Sequence, residues 1–101
     1  MVIMLSEQEI KDIANFISFN KKNFENRLLT LDYHFENGEM LVIEILPSYK
    51  KVEIHHTISG ISKEEYLELD SILVTNIYLL TEDFNINVDE DCIKSINRLI
   101  N

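Results

Sequence analysis

The chain has 101 residues, 46% hydrophobic and 27% charged, with a formal net charge of -9. That length holds one domain, 1–101, and the composition sits near the globular average, which excludes a disordered chain. The acidity excludes nucleic acid and anionic membrane as ligands, and a single Cys excludes the disulfide-rich secreted class.

Residues 1–5 are apolar but have no basic flank, and the run is too short for a signal peptide. The longest apolar stretch, 72–80, is broken by Thr75 and Asn76, well short of the ~18 uninterrupted residues of a membrane span. A cytoplasmic location is expected. Fifteen Ile and ten Asn fit an AT-rich coding sequence, of the kind found in bacteria and phages.

In chain order, Ser6-Glu7-Gln8-Glu9 is a capping box, with Leu5 and Ile10 as its hydrophobic staple. Ile10, Ile13, Ala14, Ile17 and Phe24 then share one helical face, and the helix is expected to end between residues 19 and 25. Three strand-like segments follow, 28–35, 39–46 and 51–58, with Asn37-Gly38 as a hairpin signal and 47–50 as a four-residue loop. A three-residue loop over 36–38, with a bulge at Gly38, sets Leu29, Leu31 and Tyr33 beside Leu41, Ile43 and Ile45. Val52, Ile54 and Ile58 complete that apolar face on the third segment. A two-residue turn would instead mix apolar and charged side chains on each face, so the bulged register is expected.

A second capping box, Ser62-Lys63-Glu64-Glu65, opens a predicted second helix with Ile61 and Tyr66 as staple. Tyr66, Leu69, Leu73, Ile77 and Leu80 form its stripe; Leu67, Val74 and Tyr78 form a further apolar side. A third helix begins near Asp89 and turns Cys92, Ile93, Ile96, Leu99 and Ile100 inward. The expected fold is therefore a single α+β domain in the order α-β-β-β-α-α. A three-stranded antiparallel meander would be packed on one face by the helices.

Chemistry is sparse. With Gly only at 38 and 60 there is no phosphate-cradling loop and no nucleophile elbow. Cys92 follows Asp89, Glu90 and Asp91, which oppose a thiolate, so it reads as a small buried hydrophobe. On the expected meander, Glu44 and Glu53 oppose each other, with Asp32 and His55 on the same polar face. Opposed like charges destabilise a sheet unless something neutralises them. A divalent metal on Glu44, Glu53 and His55 would do so, but three or four close ligands are the usual requirement and no metal-binding motif is present. No metal and no cofactor are therefore expected.

Residues 60–101 carry 9 acids against 3 bases. Acids at helix N-termini have a local role through the helix dipole. Glu82 and Asp83, expected to follow a helix C-terminus, have no such role. The reading that accounts for most of this is a non-enzymatic binding module, a small inhibitor or immunity-type protein capturing a basic partner such as a nuclease toxin. Its candidate contacts are Asp32, Glu44, Glu53, His55, Glu82 and Asp83. A homo-oligomer built on Leu67, Val74 and Tyr78, a phage-type DNA mimic, and a small metal-binding enzyme using Glu44, Glu53 and His55 are the alternatives.

Overall fold

Ser6 Oγ accepts from the Glu9 amide at 3.1 Å, and the Glu9 carboxylate accepts from the Ser6 amide at 2.9 Å. This capping box opens α1 (Glu7–Phe19), which buries Ile13, Ala14 and Ile17. The structure, a computed structural model, describes residues 1–21, 29–56 and 62–101. Phe24, Leu28, Thr57, Ile58, Gly60 and Ile61 lie outside the described residues.

The next elements are β1 (Thr30–His34) and β2 (Met40–His56). Their turn takes the three-residue form: the Phe35 amide donates to the Glu39 carbonyl at 2.9 Å, and the Gly38 amide to the Phe35 carbonyl at 3.1 Å. Gly38 has φ +90°, the left-handed conformation that such a bulge requires. Leu31 therefore pairs with Ile43 and Tyr33 with Leu41.

Two expectations fail beyond this point. Residues 47–50 form no loop; β2 runs through them without a break for 17 residues. Pro47 is tolerated because of where its nitrogen points. The Ile45 amide donates to Leu29 on the β1 side at 2.8 Å, and alternation aims the Pro47 nitrogen the same way. No bond between β2 and its other neighbour is lost, which is how proline survives on an edge.

The second failure is larger. Residues 62–80 form not a helix but a strand, β3 (Ser62–Leu80), paired antiparallel with β2 along its whole length. Register shifts between Glu44 and Ile45 and between Ser48 and Tyr49 leave Thr75 and Asp70 as extra residues on β3. The inward positions become Leu69, Ile72, Val74, Ile77 and Leu79, an alternation interrupted twice by a three-residue step. Those steps imitate helical spacing. The β-branched and aromatic content of this stretch, from Tyr66 to Tyr78, agrees with the strand.

A short turn leads to β4 (Asn85–Asn87), completing a four-stranded antiparallel sheet in the order β1-β2-β3-β4. Asp89 caps α2 (Glu90–Ile100), accepting from the Asp91 amide at 2.9 Å. Cys92, Ile93, Ile96 and Ile100 are buried as expected, whereas Leu99 is exposed. Both helices pack on the same side of the sheet, in one core with Leu31, Leu41, Ile43, Ile45, Val74 and Ile77. Among the described residues the fold is thus α+β with two helices and four strands.

Only the first third of β2 pairs with β1, and only Tyr78 to Leu80 of β3 pair with β4. The remaining lengths of β2 and β3 form a two-stranded arm. The molecule measures 61 × 25 × 21 Å with a radius of gyration of 17.7 Å, against about 13 Å for a compact chain of this length.

Candidate functional site

Because β2 is continuous, Glu44 and Glu53 occupy one strand about 30 Å apart. They are not opposed, and they point to opposite faces. Glu44 lies half-buried on the outer face, away from the helices, between Thr30 and Asn76. Glu53 lies on the helix-side face of the arm, opposite Glu65. Like charges do meet across these strands, but the partner of Glu53 is Glu65. Lys51 Nζ bridges the pair and offsets one of its two charges, 3.9 Å from Glu53 and 3.0 Å from Glu65. His55 Nε2 is 3.6 Å from Glu53. The cluster is exposed, so each contact is worth about 1 kcal/mol or less.

The trio Glu44, Glu53 and His55 is therefore no constellation: two members adjoin and the third is remote. Among the described residues, no group of three or more His, Cys, Asp or Glu is placed to hold a metal ion. Asp32 is exposed on the outer face of β1, next to Val42 on β2. It shares that face with Glu44 but not with Glu53 or His55.

Glu82 and Asp83 occupy the turn joining β3 to β4, not a helix C-terminus. Thr81 closes the turn: its hydroxyl donates to the Phe84 carbonyl, and its oxygen accepts from the Phe84 amide at 3.0 Å. Strand order puts this turn at the same end of the sheet as the β1–β2 turn, which carries Glu36 and Glu39. The turn centres are about two strand spacings apart, or ~10 Å. Four carboxylates thus share the end of the molecule remote from the arm, and neither turn contains Lys or Arg.

The structure disperses Leu67, Val74 and Tyr78. Val74 is 2% exposed in the core. Leu67 is exposed on the helix-side face of the arm, and Tyr78 lies half-buried on the outer face. Separation follows from the strand: alternation and the Thr75 bulge send neighbours to different sides.

An uncovered stripe runs down the outer face of β2 and β3, which sequence reasoning missed. Leu46 faces Leu73, and Val52 faces Tyr66 beside Ile54. Leu46 is 56% exposed, Leu73 49%, Tyr66 47% and Ile54 39%. Nearer the turns, Val42 pairs with Tyr78, and Met40 and Leu80 continue the stripe. Val52 and Ile54, expected inside on a separate third strand, face outward because β2 continues through 47–50 and its alternation keeps them on the face of Val42 and Leu46. The available signal was the alternation of Val52 and Ile54 with Lys51, Glu53 and His55.

Cys92 is buried, and its sulfur accepts from the Leu5 amide at 3.4 Å. The Tyr33 pKa is raised by burial and by the carboxylates of Asp12 and Glu9. Its ring makes edge contacts with Phe16 and Phe35, each with centroids 5.3 Å apart. Among the described residues, no helix is long and apolar enough to cross a membrane. No family model, curated protein or solved structure matches this chain.

Proposed function

We propose that this chain is a non-enzymatic protein-binding module that engages a basic partner, in the manner of a small inhibitor of a basic toxin. The observation that carries the reading is the acidic end of the sheet. Glu36, Glu39, Glu82 and Asp83 project from two adjacent turns, held by strands rather than on a mobile tail. Carboxylates fixed on a rigid scaffold steer a basic surface toward themselves and raise its association rate. The relocation of Glu82 and Asp83 to a hairpin tip strengthens this reading, since at that place they neither cap nor oppose a helix. Asp32 and Glu44, on the outer face, and Glu53, in its cluster with Lys51, are weaker contacts. Glu44 stands far from Glu53 and His55 along β2 and on the other face, so the ligand set of the metal-enzyme reading is not brought together.

The experiment is affinity capture from a lysate of the source cell at rising salt. A basic protein retained at low salt and released as salt rises supports the reading. No retention even at low salt, or retention indifferent to salt, contradicts it.

A further inference from the structure

The arm poses a physical problem. A two-stranded ribbon alone is at best marginally stable in water, and needs a covered apolar face to persist. On the helix side, the arm turns charged where the helices stop, with Lys51, Glu53, His55 and Glu65. That is the pattern of a solvated face. The outer side, past the polar pairs Ser48–Ser71 and Lys50–Glu68, returns to apolar Val52, Ile54 and Tyr66 in line with Leu46 and Leu73, while the helix side keeps Leu67 exposed beside Lys51. Exposed apolar side chains aligned over such a length mark a surface meant for burial.

We infer that the occupant is a second copy of this chain, packed outer face to outer face about a two-fold axis that runs along the arm. Such an axis carries β2 onto β3 of the partner copy at the same height. Each outer-face residue then meets the residue that opposes it within its own chain. Leu46 meets Leu73 and Val52 meets Tyr66 in apolar contact, Tyr78 meets the already buried Val42, and between and beyond them Glu44 meets Asn76 and Ile54 meets Glu64. Ser48 meets Ser71. Lys50 meets Glu68, twice per dimer, since these residues stand opposite each other across β2 and β3. A surface that complements itself under rotation is the defining property of a two-fold interface.

Composition agrees. The stripe is flanked by polar positions on the outer strands, Thr30, Asp32 and His34 on β1 and Asn85 and Asn87 on β4, so an apolar centre has a polar rim. Seventeen residues of β2 paired with β3 span roughly 50 Å by 10 Å, before side-chain relief is counted. That is about 500 Å² of flat face per copy, against the ~800 Å² per partner of a standard interface, which puts the contact in the small, weaker class. The arrangement leaves the acidic end free and sets the two acidic ends side by side, so its failure would not touch the proposed function.

The test uses the purified full chain in light scattering and sedimentation. The native chain should have twice its 11.9 kDa mass. Lys50→Glu and Glu68→Lys should each weaken the dimer about tenfold or more, because each sets like charges face to face. An equimolar mixture of the two variants should recover the dimer. In the mixed pair, one copy has carboxylates at both positions 50 and 68 and the other has ammonium groups at both, so opposite charges meet at both contacts. An internal role for the pair gives no such recovery on mixing. Circular dichroism guards against misfolding, which charge changes on an exposed ribbon should not cause. A monomer at high concentration, a dimer indifferent to both changes, or a mixture no tighter than its components would overturn the inference. So would protection of Tyr66 and Leu73 that appears only on adding a different protein.

Discussion

The Asn97 side chain on α2 hydrogen-bonds both backbone groups of Val74: its oxygen accepts from the Val74 amide at 2.8 Å, and its nitrogen donates to the Val74 carbonyl at 3.0 Å. This amide acts as a one-residue strand. It extends the ladder past the end of β4 and pairs the edge of β3 next to the Thr75 bulge. Asn101, four positions on, donates to the Ile72 carbonyl at 3.0 Å. An open edge is a liability that folds cover, and here a helix covers it with two amides.

Asn97→Ala should therefore cost about 2 kcal/mol or more, since two hydrogen bonds go and the Val74 backbone, in a buried residue, loses both partners. Asn101→Ala, with one such contact at the chain end, should cost less than half as much. Urea denaturation of both variants checks the ranking.

Gly38→Ala isolates backbone strain. A Cβ added there meets nothing within 4 Å, yet φ is +90°. The expected loss is about 1 kcal/mol, and Gly38→Asn should lose less, because Asn tolerates the left-handed region better. Thermal melts of the two variants give the comparison.

Tyr33 links stability to alkaline pH. Its folded-state pKa is raised above 10.0, first by burial and then by Asp12 and Glu9. The fold favours the neutral phenol, so this contribution is complete below pH 10 and is lost as pH rises through the folded-state value. Ultraviolet titration of the native chain should show a phenol ionising above pH 10 that is missing from Tyr33→Phe. Tyr33→Phe should lessen the fall in stability above pH 10.

Lys51→Glu places a third carboxylate beside Glu53 and Glu65. Since these residues lie on the arm and outside the core, hydrogen exchange should accelerate in the arm while exchange in α1 and α2 stays unchanged. Uniform acceleration would mean that arm and head open together.

Much of the head was legible in the sequence. Ser6 and Glu9 specified the start of α1, Asp89 the start of α2, and the apolar rows of Leu31 and Ile43 the bulged register. The arm was not, for two physical reasons. Pro47 looks like a loop residue unless the direction of its nitrogen is known, and that depends on which neighbour β2 lacks. The bulges at Asp70 and Thr75 convert a strand's alternation into spacings of two and three, which overlap a helix's three and four. Ser62 to Glu65 then supplied a capping-box motif with no helix behind it. A helical reading of β3 separates Glu53 from its true partner, Glu65, and puts Glu82 and Asp83 at a helix end. The same helical reading hides the outer stripe, because it turns Leu73, Tyr66 and Leu80 into the core.

The most direct measurement of the central claim compares the affinity of the captured basic partner for the native chain and for a neutralised one. The neutralised chain carries Glu36→Gln, Glu39→Gln, Glu82→Gln and Asp83→Asn. The carboxamide oxygen introduced at position 39 can still accept from the Asn37 side-chain amide, which in the native turn donates to Glu39 at 2.7 Å. At low salt the native chain should bind at least about tenfold more tightly, and the gap should close as salt rises. Equal affinity of the two chains at low salt would contradict a function centred on the acidic end of the sheet.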